Sequence, residues 1–180
     1  MKISQFRNAI ILAAGLFMVA GVNAQQSAST ANLTPEQQKA KKTLEEALVC
    51  DRDLKNEWGE EKEVEVDKLS KKLGATVGKE KKWSDEAFRY GEHSITFKSP
   101  SLVQIRGYEV TKVFVEWMSL GYTYTSTLAV TPQDFYKAFG LKAGGKYTGK
   151  PKLEGREFSI SVTPKKEVQA VCMYYIDEDS

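Results

Sequence analysis

The chain has few of the side chains on which catalytic and metal sites most often depend. Its 180 residues include two cysteines and one histidine, His93. A Ser/His/Asp or Cys/His arrangement would need that single histidine beside a matched nucleophile. Zinc sites take most of their ligands from cysteine and histidine. We therefore expect no catalytic residue, no bound metal and no cofactor. Because Tyr90-Gly91-Glu92-His93 is typical of a hairpin turn, we expect His93 to be an exposed loop residue.

Long apolar runs are scarce as well, and the one prominent run lies at the N-terminus. Two basic residues precede an apolar stretch from Ala9 to about Val22, and the short side chains of Val22-Asn23-Ala24 suit a signal peptidase. The stretch is about 14 residues long, whereas a membrane-spanning helix needs ~20. The pattern predicts a cleaved signal peptide over 1–24, a mature chain that begins at Gln25, and a periplasmic or secreted location.

The mature chain has no excess charge of either sign. Loss of Lys2 and Arg7 with the signal peptide leaves 24 of the 26 basic side chains against 24 acidic ones. Such a chain lacks the sequence-wide positive field that attracts nucleic acid. We expect no nucleic-acid partner and, after signal cleavage, no stable membrane insertion. The remaining partner classes are an unidentified protein and a small ligand.

The two cysteines, Cys50 and Cys172, lie 122 residues apart in the sequence. An even cysteine count in an oxidising compartment favours a disulfide. The chain-entropy relation gives about 4–5 kcal/mol of stabilisation for so long a loop. We predict a Cys50–Cys172 bridge. Cys172 shares a strand face with Ala170 and Tyr174, so we expect the first helix to cover that face.

Capping residues and helical periodicity predict three helices. Thr34-Pro35-Glu36-Gln37 and Thr131-Pro132-Gln133-Asp134 each combine a capping threonine with proline at the first helical position. The apolar spacing over 66–73 indicates a shorter helix, and Gly74 and Gly140 indicate helix ends. From residue 87, alternation of apolar residues predicts strands. The alternating sets are Ile95/Phe97, Val103/Ile105, Val113/Val115/Trp117, Leu120/Tyr122/Tyr124, Phe158/Ile160/Val162 and Val168/Ala170/Cys172/Tyr174/Ile176.

These elements predict an α+β fold, an antiparallel sheet with N-terminal and mid-chain helices packed on one face. A single domain is expected over 34–180, after a disordered linker at 25–33. Within it, the units 60–118 and 128–178 each contain a helix, a connection and strands. Their helix-ending glycines are about 66 residues apart, which suggests a weak tandem α/β duplication.

One of these helices has the sequence VDKLSKKLG and the other VTPQDFYKAFG, and each precedes a strand that ends near proline. This layout resembles that of exported inhibitor proteins built from tandem α/β repeats, such as β-lactamase inhibitor proteins. The resemblance is one of layout, so it implies a binding or inhibitory role without assigning any site residue.

Aromatic side chains are the remaining candidates for a functional site. Tyr122 and Tyr124 share one face of a strand at 120–128, and Trp117 belongs to the neighbouring strand. We predict that all three lie on an exposed sheet face and contact a partner. The leading hypothesis is an exported, non-enzymatic binding or inhibitor module for a protein partner. Two alternatives stay open: a periplasmic carrier of a lipid, sugar or peptide, and a hydrolase that uses carboxylates alone.

Overall fold

The computed structural model describes residues 32–54, 64–84, 89–118 and 121–175. Over this part of the chain it confirms the α+β fold, with three helices and a nine-stranded antiparallel sheet. The elements are α1 (Pro35–Leu48), α2 (Glu65–Lys72), β1 (Thr76–Val77), β2 (Lys81–Ser84), β3 (Arg89–Thr96), β4 (Gln104–Ile105), β5 (Tyr108–Met118), β6 (Gly121–Leu128), α3 (Pro132–Ala138), β7 (Tyr147–Thr148), β8 (Arg156–Val162) and β9 (Val168–Tyr175).

Helix α1 begins at the predicted capping box. The Thr34 hydroxyl accepts a hydrogen bond from the Gln37 backbone N–H, and the Gln37 side chain accepts one from the Thr34 N–H. These contacts satisfy two of the N–H groups that a helix start leaves unpaired. The apolar stripe of the helix then packs on the sheet and is buried; it consists of Ala40, Leu44, Ala47 and Leu48.

All three helices end with a residue in the left-handed region of backbone conformation. Gly74 (φ 79°) follows α2 and Gly140 (φ 63°) follows α3, which confirms both predicted ends. After α1 the same position is occupied by Cys50, with φ of 64°. The Cys50 N–H bonds to the Ala47 carbonyl and the Asp51 N–H to the Glu46 carbonyl. This is the Schellman arrangement, in which glycine is the usual residue.

The sheet has the strand order β1-β3-β5-β6-β9-β8-β7, while β2 also pairs with β3 and β4 with β5. Two helix-plus-three-strand units, α2-β1-β3-β5 and α3-β7-β8-β9, therefore run from opposite edges toward the centre, with β6 between them. Ile95 on β3 and Ile160 on β8 are both fully buried. The tandem duplication suggested by the sequence stays a prediction.

Directly paired residues in an antiparallel sheet share a face, so the register defines two faces. We name the first the covered face; its central row consists of His93, Val115, Tyr124, Cys172 and Phe158. Every residue of that row is buried. We name the second the open face; its central row consists of Ser94, Phe114, Thr125, Val171 and Ser159. Every residue of that row is half-buried.

The predicted disulfide is confirmed, with a Cα–Cα distance of 5.4 Å between Cys50 and Cys172. It joins the end of α1 to the centre of β9. As expected, the face that contains Ala170, Cys172 and Tyr174 is the one covered by α1. In the described part of the chain, no helix is long and apolar enough to cross a bilayer.

Candidate functional site

The three aromatic residues predicted to bind a partner lie on the covered face. The exposed fraction is 7% for Tyr122, 1% for Tyr124 and 8% for Trp117. The prediction that they are exposed is therefore wrong. The reason is register: Tyr124 pairs directly with Cys172, so it must share the face that the disulfide attaches to α1.

Tyr122 contributes to a polar cluster at the edge of the covered face. Its hydroxyl donates to Asp53 Oδ1 at 2.9 Å, and Arg156 donates to the same oxygen at 2.7 Å. The Arg156 guanidinium also lies 3.2 Å from the ring centroid of Tyr174. Burial, and then the Asp53 carboxylate, raise the pKa of the Tyr122 hydroxyl. This cluster connects the chain just after α1 to β6, β8 and β9, so its role is structural.

Trp117 packs its ring over a glycine and donates a hydrogen bond to a carboxylate. Its ring lies over Gly91 on the next strand, where a Cβ would come 2.2 Å from Trp117 Cε2. Its indole N–H donates to Glu80 Oε1 at 2.8 Å. The side chain therefore fills the edge of the core and presents no exposed face to a partner.

His93 is not the exposed turn residue that the sequence suggested. It lies in the middle of β3, is 4% exposed, and its Nε2 is 2.7 Å from Asp67 Oδ1 on α2. The sequence suggested that Gly91 lies in a turn. It lies instead within β3, where the absence of a Cβ permits close packing of the Trp117 ring. The Ser70 hydroxyl and His93 Nδ1, both buried, have no hydrogen-bond partner among the described residues. Among the described residues, no serine is therefore hydrogen-bonded to this histidine.

The open face combines hydroxyl and apolar side chains at half burial. The helix contacts described above, from Cys50 and Asp67, all reach the covered face. On this side of the sheet, where no described helix contact reaches, apolar groups such as Phe114 and Val171 lie beside the hydroxyls of Ser94, Thr125 and Ser159. A wide face of this composition meets either water or another molecule.

One corner of the open face has an aromatic–carboxylate patch, which we define as Trp83, Tyr90, Glu92 and Glu116. Strand register places them together: Trp83 pairs with Tyr90, and Glu92 with Glu116. The rings of Trp83 and Tyr90 are 5.1 Å apart between centroids. Trp83 is 52% exposed and is the one large apolar side chain classed as exposed among the described residues.

A single phenol hydroxyl lies between the two carboxylates of this patch. Tyr90 Oη is 3.0 Å from Glu92 Oε2 and 3.1 Å from Glu116 Oε1. On the outer side, Lys81 donates to Glu92 Oε1 at 3.1 Å. Burial, followed by the two carboxylates, raises the pKa of Tyr90, so its proton is retained. The hydrogen bonds from Lys81 and then from Tyr90 lower the pKa of Glu92, which keeps that carboxylate charged.

Sequence reasoning missed this patch, although a signal was present. Tyr90, Glu92 and Ser94 alternate with Gly91 and His93, which is the pattern of a strand with one polar face. Glu116 likewise alternates with apolar neighbours. The pairing of these strands joins the two glutamates, and that pairing is not readable from local sequence.

Other predictions fall on residues outside the described ranges. These include the signal peptide at 1–24, all of the linker except its last two residues, and the terminal stretch from residue 176. Within the described ranges, no group of three or more histidine, cysteine, aspartate or glutamate side chains is placed to hold a metal ion. Compared with known proteins, the chain matches no family model, no curated protein and no solved structure.

Proposed function

We propose that the protein is an exported, non-enzymatic binding module that recognises a protein partner through the open face of its sheet. The observation on which this rests is the difference between the two faces. Helices and a disulfide cover one face, whereas the central row of the other consists of half-buried Ser94, Phe114, Thr125, Val171 and Ser159. A non-obligate protein interface is about as apolar as the rest of a protein surface, so a face that mixes apolar and hydroxyl groups is compatible with one.

Export is supported by the signal-peptide pattern of residues 1–24 and by the cysteine pair. Disulfides persist in oxidising compartments and are rare in the cytosol. Cys50 and Cys172 are at bonding distance and are buried. The proposal therefore places the partner in the periplasm or outside the cell.

The carrier alternative requires a cavity between sheet and helices that could enclose a lipid, sugar or peptide. Large side chains occupy that layer instead. Leu44 and Leu48 of α1 and Tyr124, Phe135 and Phe158 are fully buried there. Close packing of this kind favours surface recognition over enclosure.

The hydrolase alternative would need a carboxylic acid whose pKa is raised, so that it can donate a proton. Glu92 and Glu116 are two carboxylates that lie opposite each other on paired strands at the open face. The hydrogen bonds from Lys81 and Tyr90 lower the pKa of Glu92, which is the opposite of what a general acid requires. This argues for a binding role for the pair.

The open-face proposal is tested by placing a bulky charge at the centre of that face. Affinity capture from the periplasmic or secreted fraction, followed by purification of the captured protein, provides the ligand for calorimetry. Thr125→Arg is expected to weaken binding at least about tenfold, because the larger, charged side chain keeps the partner from contacting the centre of the face. Gln133→Arg adds the same charge to exposed α3 and is the control. Equal affinities for the two variants, with both folded, would refute the proposal.

A further inference from the structure

We propose that the aromatic–carboxylate patch is a receptor for an arginine side chain presented by the protein partner. This inference rests on the proposed function and names the anchor within the open face. The patch combines an exposed indole, a phenol and two carboxylates from β2, β3 and β5. Guanidinium is the cation that stacks on an aromatic ring and forms paired hydrogen bonds with carboxylate at the same time.

The first argument is a count of protons. A phenol hydroxyl has one proton and can donate to one acceptor at a time. Tyr90 Oη nevertheless lies within 3.1 Å of oxygens from both Glu92 and Glu116. When one carboxylate accepts this hydrogen bond, the other carboxylate faces the phenol oxygen at hydrogen-bond distance with no hydrogen between the two oxygens. The three groups therefore need one more donor than they contain.

The second argument concerns which carboxylate lacks that donor. Lys81 already donates to Glu92. Within the described ranges, the Glu116 side chain accepts a hydrogen bond from Tyr90. Among the described residues in hydrogen-bond contact here, two carboxylates face one ammonium group, which leaves an excess of one negative charge. Charge complementarity therefore selects a cationic partner group, and Glu116 is the carboxylate that would receive its N–H donors.

The third argument is the exposed indole. Trp83 presents half of its surface to solvent at the sheet edge, with its ring 5.1 Å from that of Tyr90. Indole is the best of the aromatic rings for cation–π contact. A guanidinium over this ring has N–H groups in its plane that point outward to nearby acceptors. A sugar ring would also stack on the indole, but its hydroxyls offer no positive charge for the surplus carboxylate.

The experiment titrates the mature chain with the peptide acetyl-Gly-Arg-Gly-amide and follows by NMR the backbone N–H resonances of Glu92 and Glu116, together with the indole N–H resonance of Trp83 where that residue is present. A saturable shift is expected with the arginine peptide and none with acetyl-Gly-Gln-Gly-amide. Glu116→Gln is expected to weaken binding at least about fivefold, and Trp83→Ala about threefold or more. Glu157→Gln, which removes an exposed carboxylate elsewhere on the open face, is the control and leaves affinity unchanged.

Identical shifts with the two peptides, or unchanged affinity in folded Glu116→Gln, would overturn the proposal. Its failure is distinguishable from failure of the proposed function. If Thr125→Arg abolishes partner binding while the arginine peptide gives no response, the open-face function stands and the arginine anchor falls. If the peptide binds the patch but Thr125→Arg and Gln133→Arg bind the partner equally, the proposed function is refuted. The patch would then bind arginine without a role in partner recognition through the open face.

Discussion

Gly91 lies directly beneath the indole ring of Trp117, and a Cβ at position 91 would come 2.2 Å from Trp117 Cε2. The glycine is thus required by packing between β3 and β5 and does not mark a turn. It lets the ring lie flat against the covered face and close the core at that edge. The same contact explains why β3 continues through His93 to Thr96.

Replacing this glycine should therefore strain the core. We expect Gly91→Ala to lower the free energy of unfolding by about 2–3 kcal/mol, because the added methyl overpacks the site. Urea denaturation measures the loss, with Ser94→Ala on the open face of the same strand as control. In a Trp117→Leu background the cost of Gly91→Ala should be smaller, since the two sites interact. If Gly91→Ala lowered the free energy of unfolding equally in both backgrounds, the contact between Gly91 and Trp117 would not contribute to stability.

His93 should be a structural residue. Its hydrogen bond to Asp67 attaches α2 to the sheet at 2.7 Å. We expect His93→Ala to destabilise the protein by ~2–3 kcal/mol, because it leaves a partly buried carboxylate without its donor. His93→Gln keeps an N–H donor on a similar stem and should lose less. Thermal unfolding at neutral pH compares the two variants. A melting temperature for His93→Ala equal to that of the wild type would contradict the burial of this side chain.

Two double variants separate the contribution of the disulfide to stability from that of the left-handed backbone conformation at Cys50. The native protein should show no free thiol under denaturing, non-reducing conditions. Cys50→Ala/Cys172→Ala should lose about 4–5 kcal/mol, as expected for a crosslink over so long a loop. Cys50→Gly/Cys172→Ala should recover about 1 kcal/mol of this, because glycine adopts the left-handed conformation without steric cost. If the alanine variant were the more stable of the two, the helix would not end as described.

Alkaline titration tests the cluster of Tyr122 and Asp53. Because the folded pKa of Tyr122 is raised, the folded chain keeps this proton at a pH where the unfolded chain releases it. The stabilisation is complete below the unfolded value of about 10 and is lost as the pH rises from there toward the folded pKa. For this group, stability should fall by ~1.4 kcal/mol in total between pH 9 and 11. Tyr122→Phe should reduce that loss correspondingly, measured by urea denaturation between pH 9 and 11; an unchanged loss would contradict the raised pKa.

Local sequence predicted the elements and the packing of helices on one face of an antiparallel sheet, but it did not predict which face Tyr122 and Tyr124 share. Thr34, Thr131, Gly74 and Gly140 specify helix limits through contacts within four or five residues, so the helices were readable. The disulfide followed from cysteine number. The faces of β6 were not readable, because Tyr122 and Tyr124 alternate with Thr123 and Thr125, and either set suits a half-buried strand.

A long-range strand pairing determines which face of the sheet Tyr122 and Tyr124 occupy. Tyr124 lies opposite Cys172, and Cys172 lies beneath α1. The register between β6 and β9 therefore places Tyr124 on the face that α1 covers. The patch at Trp83 depends on a similar pairing of three strands, which brings Glu92 and Glu116 together from positions 24 residues apart in the chain. Interactions of such separation have no local signature.

Photo-crosslinking from each side of the sheet tests the central claim most directly. A benzoylphenylalanine placed at Glu157 lies on the open face beside its central row, and one placed at Lys39 lies on the exposed side of α1. Each variant is mixed with the purified partner, irradiated, and analysed by denaturing electrophoresis and peptide mass spectrometry. The account predicts a crosslinked complex from position 157 and none from position 39. A crosslink from position 39 with none from position 157 would contradict recognition through the open face.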